Sequence, residues 1–98
     1  MQLAYRNKNI EKVCTDYMVA KKAYNIKMAA KIHQRIREIG QAESIEMMIR
    51  FKIGRCHLLK GDRQGEYAVD LVHPYRLVFT KLGNEIQIAE IIEIVDYH

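Results

Sequence analysis

The sequence predicts an α+β fold, with N-terminal helices packed on one face of a twisted antiparallel β-sheet. Three observations predict it. Apolar residues recur at spacings of three and four through residues 25–39. From Arg55 onward the pattern changes to an alternation of period two. Short turn signals, His73-Pro74 and Gly83-Asn84, separate the alternating runs, so consecutive strands join as antiparallel hairpins. Helices first and a meander after them give two layers. The 98 residues contain no repeat, linker or low-complexity tract, so residues 1–98 are expected to form a single domain.

Taken in order, residues 2–6 form a short first strand, and Asn7 caps a helix that contains Ile10 to Cys14. Residues 15–23 read as helix or turn. In the long helix Ala29, Ile32, Ile36 and Ile39 make one stripe, with Lys27, Lys31, Gln34 and Glu38 opposite. Gly40 is its expected stop. Ser44 caps a shorter helix whose buried edge is Ile45, Met48 and Ile49. His57-Leu58-Leu59 is a short strand, and residues 60–65 are a loop punctuated by Gly61 and Gly65. Tyr67, Val69 and Leu71 alternate with Ala68, Asp70 and Val72; Tyr75, Leu77 and Phe79 alternate with Arg76, Val78 and Thr80. If Tyr75 and Leu77 face the helices, Arg76 faces the other side of the sheet. In the last strand Ile86, Ile88, Ile92 and Ile94 share one parity with Asp96 and His98. Only a bend or bulge, near Glu90 or at the strand end, would carry His98 to the face of Arg76; Glu90 interrupts the parity, so a bulge is expected there.

Composition bounds the function. A hydrophobic share of 49% with 29% charged residues is that of a globular domain and argues against disorder. No apolar run is long enough to span a membrane, and the first residues lack a signal-peptide core, so a cytoplasmic protein is expected. Cys14 and Cys56 are too few for a disulfide scaffold and are expected as thiols. The net charge is +4, but residues 84–98 carry four acids and no lysine or arginine, which leaves +8 on the rest. Arg50, Lys52, Arg55, Lys60 and Arg63 face a single acid, Asp62, across residues 50–63. Such a cluster suits a polyanion.

His57 sits inside that cluster, and the chain ends Asp96-Tyr97-His98 on what reads as a strand. These are the groups a metal-free ribonuclease needs. A base takes the proton of the 2′-hydroxyl, the oxygen attacks phosphorus, and an acid protonates the departing 5′-oxygen. Imidazole suits both proton steps, and cations stabilise the phosphoryl charge. His57 and His98 are the candidate acid and base, in either order. Lys60, Arg63 and Arg76 are the candidate cations, Tyr97 a stacking group or proton donor, and Asp96 an orienting group. Arg50, Lys52, Arg55 and Arg63 are candidate RNA contacts. His33 in mid-helix and His73 in a turn read as ordinary side chains. No cofactor and no metal are expected. Cys56, His57, Asp96 and His98 are ligand types, but neighbours on a strand point to opposite faces and the paired Cys-x-x-Cys spacing is absent.

The segment His57-x-x-Lys60-Gly61-Asp62-Arg63, then Tyr67-x-Val69, Tyr75-Arg76-Leu77-Val78-Phe79 and the terminal Asp96-Tyr97-His98 resemble the HigB branch of the RelE/ParE toxin superfamily. The resemblance is strong over residues 50–98 and extends to the helical half by pattern and length. It implies a RelE-like, microbial-ribonuclease-like fold and the toxin of a type II toxin–antitoxin pair. Such a toxin enters the A site of the small ribosomal subunit and cuts mRNA. Its implied partners are a HigA-like helix-turn-helix antitoxin, the ribosome and mRNA, with operator DNA reached only through the antitoxin complex. By the same match His57, Lys60, Arg76, Asp96, Tyr97 and His98 fall on active-site positions, and Arg63 on a substrate contact. Leu58 stands where proline is frequent, Tyr67 and Tyr75 where tryptophan is, Ala68 where serine is, and Pro74 where asparagine is. The alternatives are a ParE-like gyrase inhibitor, which shares the fold but generally lacks the histidine pair, and an idle relative acting only in a repressor complex.

Overall fold

In the computed structural model residues 1–97 are described; the candidate His98 lies outside them. Helices α1 (Lys8–Thr15), α2 (Tyr17–Ala23), α3 (Ile26–Gln41) and α4 (Ile45–Arg50) follow strand β1 (Gln2–Tyr5). Strands β2 (His57–Leu58), β3 (Glu66–Asp70), β4 (Tyr75–Leu82) and β5 (Ile88–Asp96) complete the chain, with 3-10 turns at Ile53–Arg55 and Gly61–Arg63. Every helix starts on a short polar side chain that accepts from an otherwise unpaired backbone N–H. Asn7 accepts from Ile10, Asp16 from Met18, Asn25 from Met28 and Ser44 from Met47, at 2.8–3.1 Å. Asp16 thus resolves residues 15–23 as a helix end followed by a new helix.

The sheet order is β1-β5-β4-β3-β2. Strands β2 to β5 form the expected antiparallel meander, and β1 joins parallel to β5. The main core lies between the helices and one face of the sheet. Met28, Ile32, Ile39, Ile45, Met48, Leu77, Phe79 and Ile91 are fully buried there, and each such side chain contributes about 1.5–3 kcal/mol. A smaller cluster of Leu59, Ala68, Val78 and Ile92 sits on the opposite face.

Three expectations are corrected. Helix α3 runs through Gly40 to Gln41 and closes on Ala42, whose N–H donates to Glu38. A stopping glycine needs a left-handed backbone, and Gly40 has none; it faces Leu3 of β1 instead. Ile49 is exposed, not part of the buried edge formed by Ile45 and Met48. The bulge lies opposite Val78 and Phe79, which pair with Glu93 and Ile91, so Ile92 is the extra residue, not Glu90. Ile92 turns to the minor cluster, Ala89, Ile91 and Ile94 pack toward the helices, and Ile86 is an exposed residue of the turn before β5. The isoleucines therefore do not share one face. One extra residue reverses every later side chain.

Candidate functional site

Alternation on β4 sends Tyr75, Leu77 and Phe79 to the main core and Arg76 and Val78 to the opposite face. His57 pairs with Ala68, a member of the minor cluster, so it stands on the same face as Arg76. Between them lies a cleft of about 370 Å³ lined by Ile49, Lys52, Arg55, Cys56, His57 and Arg76. Arg55 and Arg76 also border a second depression, of about 200 Å³, with Asp70, His73 and Tyr97 on its wall.

The segment 52–55 builds one wall by an unusual backbone. Lys52, Gly54 and Arg55 all have positive φ, at 55°, 57° and 56°. For a residue with a side chain this conformation costs about 1–2 kcal/mol. Arg35 of α3 packs under this turn. A Cβ on Gly54 would lie 2.8 Å from its Nε, so a side chain there would displace the Arg35 guanidinium as well as hold a left-handed backbone. The same Nε donates to the carbonyl of Asp70 at 2.6 Å, and Nη1 donates to Glu38 at 2.8 Å. Burial pushes the Glu38 carboxyl up, but hydrogen bonds from Arg35 and Gln34 outweigh it and leave the carboxyl below its ordinary range. One buried-side arginine therefore ties the cleft turn to the end of β3.

His57 is oriented by its own chain. Its Nδ1 lies 2.8 Å from the carbonyl oxygen of Arg55. A carbonyl can only accept, so Nδ1 carries the hydrogen, and in the neutral ring Nε2 is left as the basic nitrogen. Arg76 pairs with Asp70 directly across the ladder, with Nε at 3.4 Å from Oδ1. The ring of Tyr97 covers its guanidinium at 4.8 Å, a cation–π contact. The Tyr97 N–H donates to Pro74 at 3.0 Å and so extends the β4–β5 pairing past Asp96.

The structure brings together His57, Lys52, Arg55 and Arg76, with Tyr97 adjoining. It separates the remaining candidates from them. Lys60 is exposed on its loop and does not line the cleft. Arg50 is exposed beside the Phe51 ring. Arg63 donates to Glu66 at 2.6 Å and also to Glu93. The Glu93 bond raises the guanidinium above its ordinary pKa against the cost of burial, with the Glu66 bond adding to the rise. Asp96 pairs with Tyr75, a core-facing residue, so it alternates away from Tyr97 and Arg76. Cys56 lines the cleft, but burial pushes its thiol up to about 11, which removes the thiolate at neutral pH.

Solved structures with this architecture include a YoeB/ParE toxin from Agrobacterium tumefaciens, with a TM-score of 0.67 at 21% identity over 100% of both chains. The chain shares its fold with the YoeB/ParE toxins. A YoeB-YefM complex from Staphylococcus aureus matches with a TM-score of 0.62 at 24% identity. A YoeB dimer from the same organism matches with a TM-score of 0.62 at 23% identity. Both cover 100% of this chain and 97% of theirs. No family model and no curated relative matches the sequence. A shared toxin fold does not carry a shared site, so the chemistry rests on the residues of this cleft.

Three residues at this cleft and its borders carry little signal in the sequence. Asp70 looked like an ordinary outward strand residue, although its place opposite Arg76 follows once the β3–β4 register is known. Arg35 lay on the helix with no signal that it would reach Asp70 and Gly54, because that contact spans two elements far apart in the chain. His73, read as an ordinary turn residue, borders the second depression beside Tyr97.

Proposed function

We propose that this chain is the toxin of a toxin–antitoxin pair and an endoribonuclease that cuts mRNA at the ribosomal A site without a metal. The observation that carries the reading is the cleft itself: an imidazole with its basic nitrogen free of the backbone, set among Lys52, Arg55 and Arg76. In the proposed reaction His57 Nε2 accepts the proton of the ribose 2′-hydroxyl. The 2′-oxygen bonds to phosphorus, and the bond to the 5′-oxygen breaks. That oxygen leaves with a proton from an acid in the terminal segment 96–98, which yields a 2′,3′-cyclic phosphate and a 5′-hydroxyl. Arg76 and Arg55 carry the charge that grows on the phosphoryl oxygens, and Tyr97 offers a ring for a base. Lys60 and Arg50, outside the cleft, serve docking on the ribosome. The proposed partners are a HigA-like antitoxin, the ribosome and mRNA, in the cytoplasm. Support for a toxin comes from the fold shared with YoeB/ParE toxins. Among the described residues no helix is long and apolar enough to cross a membrane.

The test is mRNA cleavage in a reconstituted translation system, with His57→Ala and a deletion of His98 beside the wild type and a ribosome-free control. Ribosome-dependent cuts that both variants lose support the reading. Inhibition of gyrase supercoiling by the folded wild type, without cleavage, replaces it with the ParE-like alternative.

A further inference from the structure

The two arginines of the cleft are not independent. Arg55 Nε lies 3.4 Å from Asp70 Oδ2, and Arg76 Nε lies 3.4 Å from Asp70 Oδ1. One carboxylate thus bridges guanidiniums delivered from two different elements, the strained 3-10 turn and β4. Oδ1 is buried and accepts no hydrogen bond of proper geometry, so its contact with Arg76 is an ion pair alone. The backbone of Asp70 is anchored separately, by the hydrogen bond from Arg35. A carboxylate whose main chain is fixed, with its two oxygens facing two cations, is placed to set their spacing. It engages each arginine through Nε. A guanidinium has five N–H donors, so the four on each Nη pair are not used by Asp70 and can serve a phosphate bidentately.

We propose that Asp70 is a positioning residue that holds Arg55 and Arg76 as a two-guanidinium phosphate clamp across the cleft. The inference rests on the ribonuclease reading for its substrate, an RNA phosphodiester, but the clamp itself is a property of the free protein. Two guanidiniums without a shared counter-ion repel each other and swing apart on long side chains. The Arg55 side chain, 77% exposed, has little else to hold it. Asp70 therefore trades one unit of cleft charge for a fixed geometry.

The experiment uses the full chain with Asp70→Asn, which keeps shape and removes charge. Its backbone acceptor for Arg35 is untouched. Arginine Nε–Hε signals in 15N spectra, RNA-oligonucleotide affinity and the single-turnover cleavage rate on ribosomes are read together. The expected result is a split: affinity equal to or tighter than wild type, because a negative charge is lost, with a saturating rate lower by at least about tenfold. The Nε–H signals of both Arg55 and Arg76 shift toward free arginine. A merely structural role would lower rate and affinity together with the folded fraction, and that outcome overturns the proposal. So does a wild-type rate with unmoved arginine signals. Should Asp70→Asn fold poorly, Arg55→Ala at its exposed position takes its place: the Arg76 Nε–H signal must move when its co-ligand is lost, and a fixed signal rejects the bridge. If the wild type cuts no RNA, the ribonuclease reading fails, and the arginine signals still decide the clamp.

Discussion

Two groups of charges on the same sheet face are built from similar residues and end in opposite states. At one end Arg63 lies between Glu66 and Glu93, one cation against two anions. At the other, Arg55 and Arg76 share Asp70, two cations against one anion, with Lys52 beside them. In the sequence Arg55 and Arg63 belong to a single basic run. In the fold the run is divided into a neutralised strut and a residual positive cleft. Charge count along a chain therefore says little about potential; the counter-ions that register brings alongside decide it.

The two ends should respond differently to mutation, with the largest effects at the cleft. His57→Gln should lower ribosome-dependent cleavage by about 10²–10⁴-fold, the usual weight of a general base, with an unchanged melting curve. Arg76→Ala should lower the single-turnover rate by about 10²–10³-fold and affect ribosome affinity less, because its proposed role is to stabilise transition-state charge. Equal losses in both quantities would reassign Arg76 to docking.

Intermediate effects are expected beneath the cleft. Arg35→Ala removes the donor to Asp70 and the packing against Gly54. It should cost about 1–3 kcal/mol in urea unfolding and lower the cleavage rate as well, since both sides of the clamp lose their support. The thiols sharpen the contrast between core and cleft wall. Burial raises Cys14 from 9.0 to about 12 and Cys56 from 9.0 to about 11. The unfolded chain therefore releases these protons first. The stability they contribute is fully present below pH 9 and declines as pH rises from there through 11 to 12. Unfolding free energies measured across that window should fall, and Cys14→Ala should flatten the upper part of the fall. The smallest effect is expected at the strut: Arg63→Ala should change stability by about 1 kcal/mol or less and leave the saturating cleavage rate near wild type. A large rate loss there would return Arg63 to the substrate contacts and erase the distinction between the two ends.

Much of the architecture was legible. The caps Asn7 and Ser44, the stripe through Ala29, Ile32 and Ile39, and the alternation around Arg76 are local signals, and each appears in the fold as read. The last strand is less legible. Its isoleucines are so frequent that periodicity could not locate the extra residue, and packing against Val78 and Phe79 placed it at Ile92. Within the site, alternation sends Arg76 to the face opposite Tyr75 and Leu77, but His57 joins it there only through the β2–β3 pairing with Ala68. Asp70 and Arg35 could not be joined to them, because an aspartate and an arginine on outward positions look the same whether or not they meet.

Element types, the two-layer α+β arrangement and the supply of an imidazole and arginines on a basic segment follow from local sequence, because capping, periodicity and composition act over a few neighbours. Which of those cations stay available is set by long-range packing. That depends on strand register, on the left-handed turn at Lys52, Gly54 and Arg55, and on Arg35 reaching from α3 to Asp70. These are contacts between residues far apart in the chain, and their free energies exist only once the layers have packed.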